Sequence, residues 1–246
     1  MDTFENSIRE SVVPKDDKNN NKSKKFFLII TILSVILIVL IILIIYYVSK
    51  SSKEDIKSYF GEIKCIYKIE SISSEIALLG DEYENFNNSI INLYINETKL
   101  NYLTKYNFTQ TGIYEIKYIL NEKIYMNYMF KNIQNLEKVE MSTNGSYAIV
   151  SIKSAFERCL NLNNITISGF NTEQIKSTSK LFFNSGINSI NLSNFQINNV
   201  EDMSYMFANT KIMDLNLQNL ETNNAVNMSY LFSNCKLLKT LNISNF

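Results

Sequence analysis

Side chains able to do chemistry are few in this chain and are of the wrong kinds for catalysis. Its 246 residues include no histidine, which removes imidazole acid-base work and histidine-containing zinc sites together. The three cysteines, Cys65, Cys159 and Cys235, form no CxxC pair and make no disulfide framework. No glycine-rich phosphate loop, no metal-spaced cluster and no motif-borne pair of carboxylates occurs. The expectation is a protein that is not an enzyme, with no catalytic residue, no cofactor and no metal. What remains is hydrogen-bonding chemistry at a fixed spacing: Glu140, Thr166, Asn191, Asn216 and Asn242, flanked by Lys138, Asp214, Gln218, Thr240 and Ser244. Mixed polar groups in such a row suit recognition of a protein or a glycan; they equally suit any solvated sheet.

The elements that must position this row are repeats. Met126-Asn-Tyr-Met-Phe130, Met203-Ser-Tyr-Met-Phe207 and Met228-Ser-Tyr-Leu-Phe232 are near-copies, and Phe130, Phe156, Phe182, Phe207 and Phe232 recur at spacings of 26, 26, 25 and 25. A second set keeps step: Val139 and Met141, Ile165 and Ile167, Ile190 and Leu192, Leu215 and Leu217, Leu241 and Ile243. Each unit thus joins a helix-like piece, apolar at i, i+3 and i+4 (Val200, Met203, Met206, Phe207), to a strand-like piece, apolar at i and i+2 (Leu215, Leu217). Neither piece buries its apolar side alone, so successive units must stack into a solenoid. On that reading, side chains between the buried strand positions point outward, and the polar row forms one face. Asn184, Asn209 and Asn234 fall just after the helical Phe and read as helix stops in left-handed geometry.

Residues 1–25 are polar and read as a disordered cytosolic tail. From Phe26 to Val48 the sequence runs 23 residues without charge, Pro or Gly, which as a helix would rise about 34 Å against a hydrocarbon core of about 30 Å. The expectation is a transmembrane helix over 26–48; a cleaved signal peptide ending near Ser49 and Ser51 is the rival reading. Lys15, Lys18, Lys22, Lys24 and Lys25 precede this stretch, while Lys50, Lys53 and Lys57 follow it among Glu54 and Asp55. That bias predicts a single-pass plasma-membrane protein with its N-terminus cytosolic and its C-terminus extracellular. Residues 49–58 read as a linker. Residues 59–125 alternate with Ile and Tyr enrichment and read as a β-rich module, in which Gly112, Tyr114 and Ile116 resemble a strand of a small β-sandwich. About 60 residues is marginal for an independent core, so this module is expected to pack against the repeats. With 24 basic and 24 acidic residues and no basic stripe beyond the lysines beside 26–48, nucleic acid is not an expected partner.

The units VEDMSYMFANTKIMDLNLQNLETNN and AVNMSYLFSNCKLLKTLNISNF resemble the repeat of BspA-like leucine-rich-repeat surface proteins, and the resemblance extends over 126–246, the unit from Ile175 recognisable and those from Ile152 and Met126 degenerate. It implies an α/β leucine-rich-repeat-type solenoid, here preceded by a small β-rich module and one transmembrane helix. It further implies surface display, with a role in adhesion or in binding host or matrix proteins, and no catalytic residues. The usual asparagine of common leucine-rich repeats is replaced by Phe195, Leu220 and Phe246, so a phenylalanine spine is expected rather than an asparagine ladder. Cys159 and Cys235 share a repeat position three units apart, roughly 14 Å at about 4.8 Å per strand, too far for a disulfide; buried core cysteines are expected, with Cys65 to Cys159 pairing left open. Sequons beyond the apolar stretch are Asn87, Asn96, Asn107, Asn144, Asn164, Asn191, Asn227 and Asn242. Sugars on Asn191 or Asn242 would obstruct the polar face. Phe246 falls in mid-repeat without a polar capping unit, so a fragment of a longer protein is expected. The functional expectation is a signal-anchored cell-surface binding or adhesion protein recognising a protein or glycan; a membrane-anchored intracellular scaffold is the alternative.

Overall fold

The computed structural model describes residues 28–29, 32–33, 35–46, 61–72, 75–85, 88–143, 147–192, 195–218 and 220–246. The expected cytosolic tail and linker lie outside these residues. The chain divides into two compact units, Met1–Asp55 and Ile56–Phe246. In the first unit the described residues between 28 and 46 are helical. Among the described residues, however, no helix is long and apolar enough to cross a membrane. The transmembrane helix expected over 26–48 is therefore not borne out among the described residues.

The second unit is built from β-structure. Alternation in β1 (Gly61–Ile69) places Ile63, Cys65, Tyr67 and Ile69 in the core while Lys64, Ile66 and Lys68 face outward. β1 pairs antiparallel with β6 (Gly112–Leu120) on one side and with β8 (Leu136–Ser142) on the other. Beyond β6 lie β3 (Ile90–Ile95) and β4 (Thr98–Leu100), joined by a two-residue turn. Asn96 and Glu97 both hold positive φ there (44° and 68°), as a hairpin of that length requires. Beyond β8 lie β10 (Asn164–Ser168) and β11 (Ser189–Asn191), now parallel. The seven-stranded order is β11-β10-β8-β1-β6-β3-β4. Module and repeats thus share one sheet, with β1 covering the edge that β8 would otherwise expose. β12 (Asp214–Asn216) lies beside β11 and pairs in parallel with β13 (Thr240–Asn242). The rest is small: β2 (Ile76–Ala77) pairs with β5 (Lys105–Tyr106), and β7 (Lys123–Tyr125) with β9 (Ala148–Ser151).

The repeats form a β-solenoid of about four turns, mostly strands, and not the α/β leucine-rich-repeat type expected. The helix-like pieces are runs of tight turns. Within one coil Met129, Lys131 and Ile133 donate their N–H groups to the carbonyls of Met126, Tyr128 and Phe130, three residues back. The alternate residues Met126, Tyr128, Phe130 and Asn132 donate instead to Ser151, Lys153, Ala155 and Glu157 of the next coil, at 2.8–3.0 Å. A helix would need all of these donors for itself. Backbone conformation agrees: Tyr128 and Asn132, Ser154 and Arg158, Lys180 and Asn184, Tyr205 and Asn209, and Tyr230 and Asn234 all have φ between 54° and 64°. Two left-handed residues per coil end any helix. The three asparagines do hold the left-handed geometry expected of them, but they close turns.

The core runs the length of this unit. Phe130, Phe156, Phe182, Phe207 and Phe232 stack with successive ring centroids 5.5, 5.8, 5.7 and 6.0 Å apart. Tyr118 of β6 meets Phe130 edge-on at 5.7 Å, joining the module to the stack. Tyr67 and Tyr118 are fully buried and both donate to the Leu78 carbonyl, at 2.6 and 2.9 Å, as buried phenols must. Phe170, Phe195 and Leu220 are buried in a second line. All three cysteines are free. Cys65 and Cys159 are fully buried, which pushes both thiols up from their ordinary value. The thiols of Cys159 and Cys235 donate to the carbonyls of Phe130 and Phe207, at 2.9 and 3.1 Å.

Candidate functional site

The parallel register sets the polar row side by side. Thr166 pairs directly with Glu140 on one side and with Asn191 on the other, and Asn216 pairs with Asn242. Side chains directly opposite one another emerge on the same face. Thr166, Asn191 and Asn216 are exposed, Glu140 and Asn242 partly so. A second line runs parallel to it through Lys138, Asn164 and Ser189, and through Asp214 and Thr240. The face is held by its own bonds: Thr240 Oγ1 donates to Asp214 Oδ1 at 2.6 Å, Asn242 Nδ2 to Gln218 Oε1 at 3.0 Å, and the Gln218 N–H to Asn216 Oδ1 at 3.1 Å. All seven residues expected on a binding face, Glu140, Thr166, Asn191, Asp214, Asn216, Gln218 and Asn242, thus belong to the strand edge of the coils or the residues just after it.

Sequence reasoning missed the other half of this surface. Register continues the row from Glu140 through Lys64 to Lys117 and Tyr94. Lys64 bridges to Glu115 at 2.7 Å, and Lys117 lies 3.5 Å from Glu97 and 3.8 Å from Glu115. Lys138 lies 2.5 Å from Glu140. The hydrogen bond from Lys138 holds the Glu140 carboxyl below the usual carboxylate value, and the bond that Lys64 donates to Glu115 raises the Lys64 ammonium. One end of the face is therefore ionic, the other made of amides and hydroxyls around a single carboxylate, Asp214. The alternation of Lys64 and Lys117 with buried neighbours was visible in the sequence; their alignment with Glu140 depends on a pairing between distant segments.

The sequons fall in several settings. Asn96, Asn107, Asn191 and Asn227 are exposed, while Asn164 and Asn242 are half-buried. Asn87 and Asn144 lie outside the described residues. Asn227 Oδ1 accepts the Ser229 N–H at 3.1 Å, and Asn191 and Asn242 sit within the polar row. Among the described residues no group of three or more His, Cys, Asp or Glu side chains is placed to hold a metal ion. The row offers donors and acceptors in one plane, and no nucleophile with its base.

No curated protein and no solved structure matches the chain. A family model does match residues 124–246, from β7 to the last coil, and its description is a Mycoplasma protein of unknown function, DUF285. The match covers the solenoid with its polar face, so the chain belongs to the family described as Mycoplasma protein of unknown function, DUF285.

Proposed function

We propose that the strand face of the solenoid is a recognition surface for a protein or a glycan, displayed at the cell surface in an adhesion role. The observation that carries this reading is the in-register row Glu140, Thr166 and Asn191, continued by Asn216 and Asn242. Such a row presents fixed hydrogen-bonding groups over an extended surface, and its ionic end gives a partner a defined orientation. Surface display is supported by the likeness of the two C-terminal units to BspA-like repeats. On this reading Asn191 and Asn242 carry no sugar, because a glycan on either would cover the row.

A tag placed after Phe246 and probed with antibody on intact cells tests the location. Labelling without permeabilisation is the expected result; labelling only after permeabilisation would remove the adhesion reading in favour of an intracellular scaffold. The face itself is tested by substituting Thr166→Lys and Asn216→Lys together. Loss of cell or matrix binding with unchanged folding is expected, and wild-type binding by this pair would place recognition elsewhere.

A further inference from the structure

The chemistry of the strand face changes along its length, and the solenoid half narrows the kind of ligand it can take. From β10 to β13 every outward strand position carries a hydroxyl, a carboxamide or, at Asp214, a carboxylate. Among these described positions there is no aromatic, arginine or aliphatic side chain. Protein interfaces draw most of their affinity from such anchors, packed in a water-free centre. A charged polymer suits this half no better. No lysine or arginine occupies these positions to meet an anion, and one carboxylate gives a polycation a single contact.

The carboxamides are also aimed in advance. Asn216 Oδ1 accepts the Gln218 N–H at 3.1 Å and Asn242 Oδ1 accepts the Ser244 N–H at 3.2 Å, so each oxygen is tied to its own coil. Asn242 Nδ2 donates to Gln218 Oε1 at 3.0 Å. What is left to the surface is the Nδ2 group of Asn216 and the Nε2 group of Gln218, both on exposed side chains, together with the exposed Thr166 hydroxyl. Thr240 Oγ1 holds one oxygen of Asp214 at 2.6 Å and leaves the other as an acceptor. Groups fixed by the chain's own bonds lose little freedom when a ligand binds. Successive strands lie about 4.8 Å apart, close to the advance of one pyranose residue in an extended chain. Thr166, Asn191, Asn216 and Asn242, one from each coil, therefore offer one polar group per sugar along a line that crosses the strands. From this we infer that the solenoid half of the face binds a linear neutral glycan laid along the stacking axis, one sugar residue to each coil. Its oxygens accept from Asn216 and Gln218, and a hydroxyl donates to Asp214. The inference rests on the strand face being the recognition surface and names its ligand class.

The test is calorimetric titration of the full chain with neutral β-linked oligosaccharides of glucose, xylose and N-acetylglucosamine, from the disaccharide to about the octasaccharide. At least one series is expected to bind, with affinity rising about fivefold per added residue up to the tetrasaccharide and level thereafter. Salt should leave it unchanged. Asn216→Asp and Gln218→Glu keep the oxygens that accept from the chain and replace only the outward N–H donors. Each should weaken tetrasaccharide binding about tenfold, with an unchanged urea midpoint showing that the fold is kept. Affinity independent of oligosaccharide length, or untouched by both substitutions, would overturn the inference, as would binding of none of these sugars. In that last case adhesion assays tell the two readings apart. Cell or matrix binding that Thr166→Lys with Asn216→Lys abolishes, and that protease treatment of the target removes, keeps the face and gives it a protein partner. Binding that survives this pair removes the face as well.

Discussion

Phe182 sits at the middle of the aromatic stack, fully buried between Phe156 at 5.8 Å and Phe207 at 5.7 Å. Truncating it to alanine removes a buried ring and both stacking contacts. Core Phe→Ala changes cost about 3–5 kcal/mol, and each ring pair adds about 0.5–1.5 kcal/mol beyond area burial, so the upper part of that range is expected. Phe232 is only partly buried and, among the described residues, stacks on one ring, Phe207 at 6.0 Å; its truncation should cost about 1–2 kcal/mol. With a urea dependence of about 2 kcal/mol per molar, the midpoints should fall by about 2 M and about 0.5–1 M. Coils contact only their neighbours, so Phe182→Ala should also uncouple what lies beyond it. Hydrogen exchange should accelerate across residues 200–246 while β1, β6 and β8 keep their protection. Equal midpoint shifts for the two variants, or uniform loss of protection along the chain, would refute the idea that the stack transmits stability from coil to coil.

Three further outcomes follow from local geometry. Asn184, at φ 55°, should accept glycine with little change, whereas Asn184→Ala should cost about 1–2 kcal/mol by urea denaturation. Glu140 titrates below its ordinary value of 4.5 mainly because Lys138 donates to it. A depressed carboxyl contributes stability above its unfolded value and loses it as pH falls through the folded one. Lys138→Met should therefore raise the Glu140 midpoint in a carboxyl NMR titration, and should remove less than about 1 kcal/mol of stability above pH 4.5, since the pair is exposed. Among the thiols, Cys235 is partly exposed and Cys65 and Cys159 are not. Iodoacetamide should modify Cys235 in the native protein and the other two only after unfolding, as peptide mass mapping would show.

Period carries most of what was legible in the sequence. The Phe set and the i, i+2 pairs marked the stacking direction and the strands, and Val139, Met141, Ile165, Ile167, Leu215 and Leu217 are all buried as that pattern requires. The helix in each unit was a misreading with a definite cause. Apolar residues at i, i+3 and i+4 fall on one side of a helix, and equally on one side of the three-residue turns found at Val200, Met203, Met206 and Phe207, whose Met206 N–H reaches back to Met203. A partial signal was present. Ser177, Asp202 and Asn227 each precede the turns and accept the N–H two residues on, at 3.2, 3.0 and 3.1 Å, the habit of residues that favour turns. Nothing in the side-chain type announces the positive φ of Tyr128, Tyr205 or Tyr230. The apolar run at 26–48 speaks only through its composition, and among the described residues no helix is long and apolar enough for the role assigned to it. The ionic half of the polar face depends on Cys65 lying opposite Val139, a long-range pairing that no local pattern encodes.

The alternation of backbone donors in the turns has an electrical consequence. Within the turns the alternate N–H groups, such as Tyr128, Phe156, Phe182 and Phe207, point toward the coil that follows, while donors flanking the turns, such as Gly186, Glu201 and Lys211, point back to Cys159, Lys176 and Ile187. In the strands the two directions cancel; in the turns they add. The turns therefore contribute a dipole along the stacking axis, positive toward the later coils and partly offset by the flanking donors, the reverse of an α-helix, whose N–H groups point to its start. Each added coil lengthens this dipole. Acidic groups are favoured beside the later turns and basic groups beside the earlier ones, and two such stacks placed with their later coils face to face would oppose donor to donor.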